Sequence, residues 1–437
     1  KSLLVSVSNV EKEPAARVAV QTVLETAPRL SSLTHIRFVL FDENDQALFA
    51  RTLNDSADRQ ASSSLEFSNP KGRGISDRPE NSNLNASSRP AAAVRLSTAL
   101  PPSEQAGNGL ALFTDLYELT MLQAYFEKVM MEEAVFSLFV RRLPKRRNFL
   151  LACGVEDVLD FLENLRFGED DLAYLDSLNL FSDRFLRWLR DFRFSGEVDA
   201  VPEGTPVFAN EPILEVVAPM PEAQVIETFV MNQIHVQTVL ASKAYRVVTA
   251  ADGRPVVDFG ARRMHGIDAA LKAAKAFWIG GISSTSNLLA GKLYGVPVAG
   301  TMAHSYIQAH DDERAAFRDF ALVFPETTLL VDTYDTLDGI RKVIDLAKSL
   351  GNDFKVKAVR LDSGDLLTLS RESRRLLDKA GLKTVEIFAS GGLDEEVIAT
   401  LLAKGAPIDG FGVGTSMGVS SDTPDLDIVY KLCQYAV

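Results

Sequence analysis

From residue 255 onward, short apolar runs alternate with amphipathic helical patterns, and this alternation constrains the fold more than any other feature of the chain. Seven apolar runs have the length and composition of buried strands. They are PVVDFG, FWIGGIS, VPVAGT, TTLLVDT, VKAVRLD, TVEIFAS and IDGFGVG. Amphipathic segments such as 336–351 and 393–405 separate most of them. Repeated strand–helix steps predict an α/β fold whose parallel sheet closes as a TIM-like α/β barrel over residues 251–437.

A mixed pattern precedes the barrel and predicts a separate α/β N-terminal domain over residues 108–250. Residues 113–126 and 154–165 have helical periodicity, and residues 133–143 read as a strand. Residues 195–219 alternate apolar and polar positions with Pro and Gly between them, which is typical of a small antiparallel region.

The first 107 residues divide into two zones. Residues 1–54 carry strand and helix patterns, LLVSVSNV, PAARVAVQTVLETA and FVLFDENDQALF, and resemble the C-terminal part of a macro domain, an ADP-ribose-binding module. Residues 9–13 supply two carboxylates and no glycine where a diphosphate cradle is needed, so we expect a remnant without an ADP-ribose site. Residues 55–107 are rich in Ser, Asn, Pro and Arg, which predicts a disordered linker.

The composition excludes several classes of function. The 437 residues carry a net charge of −13, whereas proteins that bind nucleic acid or anionic membranes need a basic face. No apolar run is long enough for a transmembrane helix. Two cysteines, Cys153 and Cys433, form neither a disulfide framework nor a zinc motif, which favours a cytoplasmic protein.

Polar residues gather where the predicted strands end, and active sites of α/β barrels lie at that rim. The last two such loops hold small residues that leave backbone N–H groups free for an anion such as phosphate. The alternative is that these glycines only close tight turns. The loop residues are Ser390, Gly391, Gly392, Gly412, Gly414 and Thr415.

Other rim residues admit two interpretations each. Asp362 and Asp365 are candidates to bind a sugar diol or Mg²⁺, or to form an Asx turn and a helix cap. Arg262, Arg263 and Arg360 are candidates to bind phosphate or carboxylate, or to form structural ion pairs. We expect Glu395 to be solvated at a helix N-terminus. His304 is either a hydrogen-bonded histidine at a strand end or a nucleophile.

Seven stretches of residues 108–437 resemble the nicotinate phosphoribosyltransferase family. They are FTDLYELTM (113–121), VDFGARR (257–263), GGISSTSN (280–287), GTMAHSYIQAH (300–310), VRLDSGD (359–365), ASGGLDE (389–395) and GFGVGTSM (410–417). The resemblance implies the two-domain type II phosphoribosyltransferase fold and a homodimer with shared active sites. It implies conversion of nicotinate and 5-phosphoribosyl 1-diphosphate to nicotinate mononucleotide and diphosphate in NAD salvage, coupled to ATP hydrolysis.

The resemblance also implies roles for individual residues. His304 corresponds to the family's phosphorylated histidine, and Asp362 to the acidic residue near the ribose hydroxyls. Phe259 corresponds to the residue that stacks on the pyridine ring, and Tyr117 to the one that the partner subunit supplies. Arg262, Ser286 and Arg360 fall in the substrate region, and the glycine loops with Ser390 and Thr415 form the phosphate cradle. Mg²⁺ neutralises the departing diphosphate, with Asp365 as its candidate ligand.

Two alternatives stay open at this level. A nicotinamide phosphoribosyltransferase shares the barrel and the histidine, although FTDLYELTM and GISSTSN favour the acid-specific branch. The second alternative is a degenerate, non-catalytic fusion protein that binds ADP-ribose or a nucleotide. The family continues beyond the residue at which this chain stops, so we expect lower stability than in a longer relative.

Overall fold

The computed structural model describes residues 2–6, 35–39, 65–68 and 109–436. The first three segments are strands of one parallel sheet: β1 (Ser2–Ser6), β2 (His35–Val39) and β3 (Leu65–Ser68), in the order β1-β2-β3. The first two lie where strands were predicted, and β3 lies within the segment predicted to be a linker. The predicted helices of residues 1–54 and the loop at residues 9–13 lie outside the described residues, so the macro-domain resemblance remains a prediction.

The N-terminal domain contains the predicted elements in the predicted order, together with four helices that were not predicted. Its first part consists of α1 (Leu116–Lys128), β4 (Glu133–Val140), β5 (Leu150–Leu151), α2 (Val155–Asn164), α3 (Glu169–Ser177) and α4 (Asp183–Arg190). Its second part consists of β6 (Glu197–Ala200), β7 (Pro206–Val207), β8 (Pro212–Pro219), α5 (Met220–Val225) and α6 (Glu227–Ala250). Strands β4 and β8 each bury six of their eight residues, and both lie in the interior of this domain's sheet.

The 24-residue helix α6 joins the two domains. It packs against α2 of the N-terminal domain and against helices of the following half-barrel. Buried residues lie along its whole length, because both domains cover it.

The half-barrel begins after α6. Its elements are β9 (Val256–Asp258), α7 (Ile267–Ile279), β10 (Ser284–Thr285), α8 (Leu288–Tyr294), α9 (His304–Gln308), α10 (Glu313–Val323), β11 (Thr328–Leu330), α11 (Thr336–Leu350), β12 (Ala358–Leu361), α12 (Leu366–Lys379), β13 (Glu386–Ala389), α13 (Glu395–Ala403), β14 (Gly410–Val413) and α14 (Thr415–Gly418). The strands are parallel in the order β10-β9-β14-β13-β12-β11, with β9 beside β14.

The predicted closure of the barrel is wrong. The hydrogen-bonded sheet is open between β10 and β11, and the VPVAGT run contributes one bridge, from Val298 to Thr285. The FWIGGIS run is not a strand either, because α7 continues through Phe277 to Ile279. Helix α7 buries Ala270, Ala273, Ala274 and Phe277 on one face, and this helical spacing outweighs the local apolar run.

The last strand lies within residues 251–437, which were predicted to form the barrel, but it is part of the N-terminal sheet instead. Strand β15 (Ile428–Tyr435) pairs antiparallel with β4, and the N-terminal sheet has the order β15-β4-β8-β6. The ring of Tyr430 stacks on Phe136 at 4.8 Å between centroids, and its hydroxyl donates to the carbonyl of Ala223. The chain therefore returns to the N-terminal domain after the half-barrel.

Within the part of the chain that the structure describes, no helix has both the length and the apolar character needed to cross a membrane.

Candidate active site

The predicted polar rim exists at the carboxyl ends of the parallel strands. Asp258 ends β9, and Asp332 lies two residues after β11. Asp362, Ser390 and Gly414 directly follow β12, β13 and β14. Parallel strands bring their carboxyl ends to one edge, so these residues from distant parts of the sequence share one site.

His304 begins helix α9 at this rim, and its two ring nitrogens have different surroundings. The Nδ1 atom lies 3.1 Å from Thr333 Oγ1, within hydrogen-bond distance. The Nε2 atom lies 3.7 Å from Asp362 Oδ2, beyond a hydrogen bond but close enough for electrostatic attraction when the ring is protonated. The side chain is 40% exposed, so the ring is partly accessible to a reactant.

Asp362 is held by the residues around it. The Ser390 hydroxyl, which is buried, donates to Asp362 Oδ1. The carboxylate of Asp332 accepts the backbone N–H of Asp362 at 2.9 Å and the Ser363 hydroxyl at 2.6 Å. Asp332 Oδ1 is buried and has no hydrogen-bond partner among the described residues. Asp332 was not predicted as a site residue, although its position at a strand end was the signal that could have identified it.

Arg360 spans the open side of the half-barrel. Its Nη1 donates to Thr301 Oγ1 at 2.6 Å, joining β12 to the segment that leads into His304. Burial lowers the pKa of Arg360, and the carboxylates of Asp362 and Asp332 oppose this effect. The guanidinium lies 5.8 Å from the centroid of the Phe259 ring, a cation–π distance.

Phe259 follows a buried aspartate that fixes the local backbone. Asp258 accepts the Thr285 hydroxyl at 2.7 Å and the Gly260 N–H at 2.7 Å. Burial raises the pKa of Asp258, and these two hydrogen bonds oppose the rise. A Cβ at Gly412 would lie 2.4 Å from the Phe259 ring, so glycine is required for the ring's position.

The first glycine loop, residues 390–392, has an exposed backbone in a left-handed conformation. Gly391 and Gly392 have φ angles of 86° and 64°, and their N–H groups donate no hydrogen bond to any described residue. A Cβ at Gly391 would lie 1.9 Å from the Asp362 carbonyl oxygen. The first-turn amides of α13 are not free as predicted, because Asp394 accepts the N–H groups of Glu396 and Val397. The glycine amides themselves remain available for an anion.

The second glycine loop lies next to the predicted arginines. Gly414 is the N-cap of α14, and Thr415 accepts a hydrogen bond from Arg263 Nη1 at 3.5 Å. Arg262 occupies the 3₁₀ turn at Ala261–Arg263, and its charge contributes to the lowered pKa of Arg360.

Three predicted residues lie outside this cluster. The Ser286 N–H donates to the carbonyl of Asp258, and Ser286 lines a groove of about 600 Å³ between the 3₁₀ turn and α8. Tyr117 lies on α1 in the N-terminal domain and is 48% exposed. Asp365 caps α12, where its carboxylate accepts the N–H groups of Leu367 and Thr368.

Glu395 is not solvated as predicted. Its side chain is 9% exposed and accepts from Lys243 Nζ at 2.6 Å and Arg246 Nε at 3.0 Å. Burial opposes ionisation, yet these cations hold the pKa of Glu395 below its usual value. Helix α6, which supplies both cations, was not anticipated at this position.

The fold and the site define an α/β protein with a polar, glycine-rich rim at the carboxyl ends of a parallel half-barrel. The model of the nicotinate phosphoribosyltransferase (NAPRTase) N-terminal domain matches residues 112–235, and that of the nicotinate phosphoribosyltransferase (NAPRTase) family matches residues 255–434. The chain therefore belongs to the nicotinate phosphoribosyltransferase family and is an enzyme of NAD salvage.

Individual relatives agree with the family match. Nicotinate phosphoribosyltransferase pncB2 of Mycobacterium tuberculosis is 61% identical over 325 residues, which cover 74% of this chain and 70% of that protein. Nicotinate phosphoribosyltransferase of Bacillus subtilis is 42% identical over 327 residues, which cover 74% of this chain and 67% of that protein. The crystal structure of human nicotinic acid phosphoribosyltransferase is similar with a TM-score of 0.65 at 31% identity, over 74% of each chain.

Proposed function

We propose that the chain transfers the phosphoribosyl group of 5-phosphoribosyl 1-diphosphate to the ring nitrogen of nicotinate, with ATP hydrolysis coupled through a phosphohistidine at His304. The observation that carries this proposal is the position of His304 Nε2, which is exposed and lies 3.7 Å from Asp362 on the rim that holds the glycine loops. A nucleophile, a carboxylate and an anion site then lie together.

In the phosphorylation step, Nε2 attacks the γ-phosphorus of ATP, a P–N bond forms and ADP leaves. The contact between Nδ1 and Thr333 favours Nε2 as the nucleophile, because one ring nitrogen is engaged and the other is free. A neutral imidazole is a competent nucleophile near pH 7. Hydrolysis of the phosphohistidine by water returns free histidine and phosphate.

In the ribosyl transfer step, the pyridine nitrogen of nicotinate bonds to C1 of the ribose as the C1–diphosphate bond breaks. Positive charge develops on the ribose, and the Asp362 carboxylate stabilises it electrostatically. Arg360 binds the nicotinate carboxylate while Phe259 stacks on the ring. The free amides of Gly391 and Gly392, together with the turn at Gly414 and Thr415, bind the 5-phosphate, which positions C1 for attack.

The described residues do not fit a protein-made Mg²⁺ cage. No group of three or more histidine, cysteine or acidic side chains within residues 109–436 is arranged to hold a metal ion. The Asp365 carboxylate, the candidate ligand, instead accepts hydrogen bonds from the first turn of its own helix. We therefore derive no step through Mg²⁺.

We infer that the functional unit is a homodimer in which Tyr117 completes the site of the partner subunit. Phe113, Leu116 and Tyr117 are 44%, 53% and 48% exposed, an apolar cluster that a second copy would cover. Mixing the inactive His304→Ala and Tyr117→Ala variants tests the shared site. Random exchange of subunits should restore about a quarter of wild-type activity, because mixed dimers hold one intact site. If the activity of the mixture equals the sum of the activities of the two variants assayed separately, the shared site is contradicted.

The decisive experiment combines labelling with substrate choice. After incubation with γ-labelled ATP, we expect an acid-labile, base-stable label that is absent in His304→Ala. Turnover is then compared for nicotinate, nicotinamide and quinolinate, and we expect a preference for nicotinate. Preference for nicotinamide would overturn the assigned substrate, and label that persists in His304→Ala would overturn the assigned nucleophile.

The two free cysteines, Cys153 and Cys433, favour a cytoplasmic location, which we propose alongside this activity.

A further inference from the structure

One buried cation lies behind both glycine loops. Lys243 projects from α6 with its side chain 3% exposed, and its Nζ donates to Glu395 at 2.6 Å and to Asp422 at 2.7 Å. Glu395 begins the helix that follows Gly391 and Gly392. Asp422 lies in the segment that follows α14, which starts directly after Gly414. Lys243 thus connects the two chain segments that leave the two loops.

Two arginines fix the other side of each carboxylate. Arg246 Nε donates to Glu395 Oε1 at 3.0 Å, and Arg147 Nη1 donates to Asp422 Oδ2 at 2.8 Å. The Arg147 side chain is 2% exposed and comes from the loop between β4 and β5. Each carboxylate therefore contacts two cations, so its side chain has little freedom to rotate.

Stability alone does not account for this cluster. Burying charges costs desolvation free energy, and apolar replacements of buried ion pairs are frequently neutral or stabilising. Ion pairs make short, directional contacts, whereas apolar packing is not directional. The contacts of Lys243 tie Glu395 and Asp422, one from each segment, to a single atom of α6.

The first loop needs such support because its own amides are unused. The N–H groups of Gly391 and Gly392 bind no described residue, so hydrogen bonds within the loop do not determine where they point. A phosphate that bridges two loops binds tightly only when both sets of amides are at the right separation, because misplacement by about 1 Å can cost about a hundredfold.

We propose that Lys243 is a positioning residue for phosphoribosyl diphosphate, holding the two glycine loops at the separation that the 5-phosphate requires. This inference rests on the proposed function, which supplies the ligand. It adds a residue on the far side of the loops that contacts no reacting atom.

The test is the double variant Lys243→Met/Glu395→Gln, which removes one charge of each sign and leaves Asp422 paired with Arg147. The matched control is Lys342→Met/Glu313→Gln, a pair of a half-buried lysine and a buried glutamate with 2.8 Å between Nζ and Oε2, which joins α10 to α11. We expect the KM for phosphoribosyl diphosphate to rise at least about tenfold in the test variant. The KM for nicotinate and the unfolding midpoint should match those of the control.

An unchanged KM for phosphoribosyl diphosphate, or an equal rise in both KM values, would overturn the positioning role. If the double variant does not fold, the single variant Glu395→Gln is used, because it keeps Lys243 paired with Asp422. It must show a smaller rise in the KM for phosphoribosyl diphosphate and no rise in the KM for nicotinate.

Calorimetry with ribose 5-phosphate separates this inference from the proposed function, since binding of this probe needs no turnover. We expect the test variant to bind this probe at least about tenfold more weakly than wild type. Equal binding would refute the inference, whereas absence of nicotinate turnover in wild type would refute only the proposed function.

Discussion

His304 Nε2 and Asp362 Oδ2 lie 3.7 Å apart, although 58 positions separate the two residues in the sequence. Asp362 cannot easily turn away, because Ser390 binds its other carboxylate oxygen and Asp332 binds its backbone N–H. The carboxylate therefore stays beside His304, the proposed nucleophile, where we expect it to stabilise a protonated ring or a cationic ribose.

Asp362→Asn should lower kcat by about a hundredfold with little loss of stability, because the amide keeps the shape and loses the charge. The control is Asp365→Asn, three residues away, whose carboxylate caps α12. That variant should keep kcat and lose at most about 1 kcal/mol of stability, since asparagine is also a good N-cap. Steady-state kinetics and urea unfolding measure both, and equal kcat values for the two variants would contradict the role of Asp362.

Gly391→Ala should be far more damaging than Gly392→Ala. Both residues have positive φ, which costs about 1 kcal/mol for alanine. Only at Gly391 does the added Cβ meet the backbone, 1.9 Å from the Asp362 carbonyl oxygen. We expect Gly391→Ala to lose at least about 3 kcal/mol of unfolding free energy and most of its activity. Similar losses in both variants would show that the contact with Asp362 relaxes easily.

Gly412→Ala should displace the Phe259 ring and raise the KM for nicotinate about tenfold, because the new methyl group would lie 2.4 Å from that ring. A double-mutant cycle with Phe259→Leu checks the cause. If the ring transmits the effect, Gly412→Ala should change the KM much less in the Phe259→Leu background. Strict additivity would place the effect of Gly412 elsewhere.

The stability of the N-terminal domain should depend on the ionisation of Glu118. Burial raises the pKa of Glu118 from 4.5 to about 7, against a hydrogen bond from Gln224. A raised pKa means that the folded chain binds the proton more tightly, so this contribution is complete below about pH 4.5 and is lost as the pH rises through about 7. Glu227, whose pKa burial also raises, acts in the same direction.

In Glu118→Gln, the loss of unfolding free energy between pH 5 and pH 8 should be smaller than in wild type by on the order of 2 kcal/mol. Chemical unfolding at several pH values measures this difference. Glu169→Gln is the control, because Glu169 is exposed, pairs with Arg190 and has a lowered pKa. Its variant should leave the pH dependence of stability between pH 5 and pH 8 unchanged, and should alter that dependence only at acidic pH, where the wild-type carboxylate becomes protonated. A wild-type pH profile unchanged by Glu118→Gln would show that another group titrates in this range.

Much of the site was predictable because it follows from local pattern. Strands β9, β11, β12, β13 and β14 lie where apolar runs were found, and the polar residues after them converge at one rim. That convergence requires only that neighbouring parallel strands end together. The histidine at the rim and the glycine loops were identified for the same reason.

Residues whose role depends on a distant partner could not be predicted in this way. Glu395 looked solvated because its own helix is amphipathic, and Lys243 lies 152 positions away. Asp365 was a candidate metal ligand. Aspartate serves both as a helix N-cap and as a metal ligand, and only the direction of its side chain distinguishes the two roles.

By itself, the sequence determined the alternation of strands and helices, the rim on which the chemistry lies, and the family to which the chain belongs, since each depends on residues close together along the chain. The tertiary structure decided that the sheet stays open between β10 and β11, that β15 returns to pair with β4, and that Lys243 lies behind both glycine loops. These features depend on packing between segments far apart in sequence, and hydrophobic periodicity contains no information about which distant segment covers a given surface.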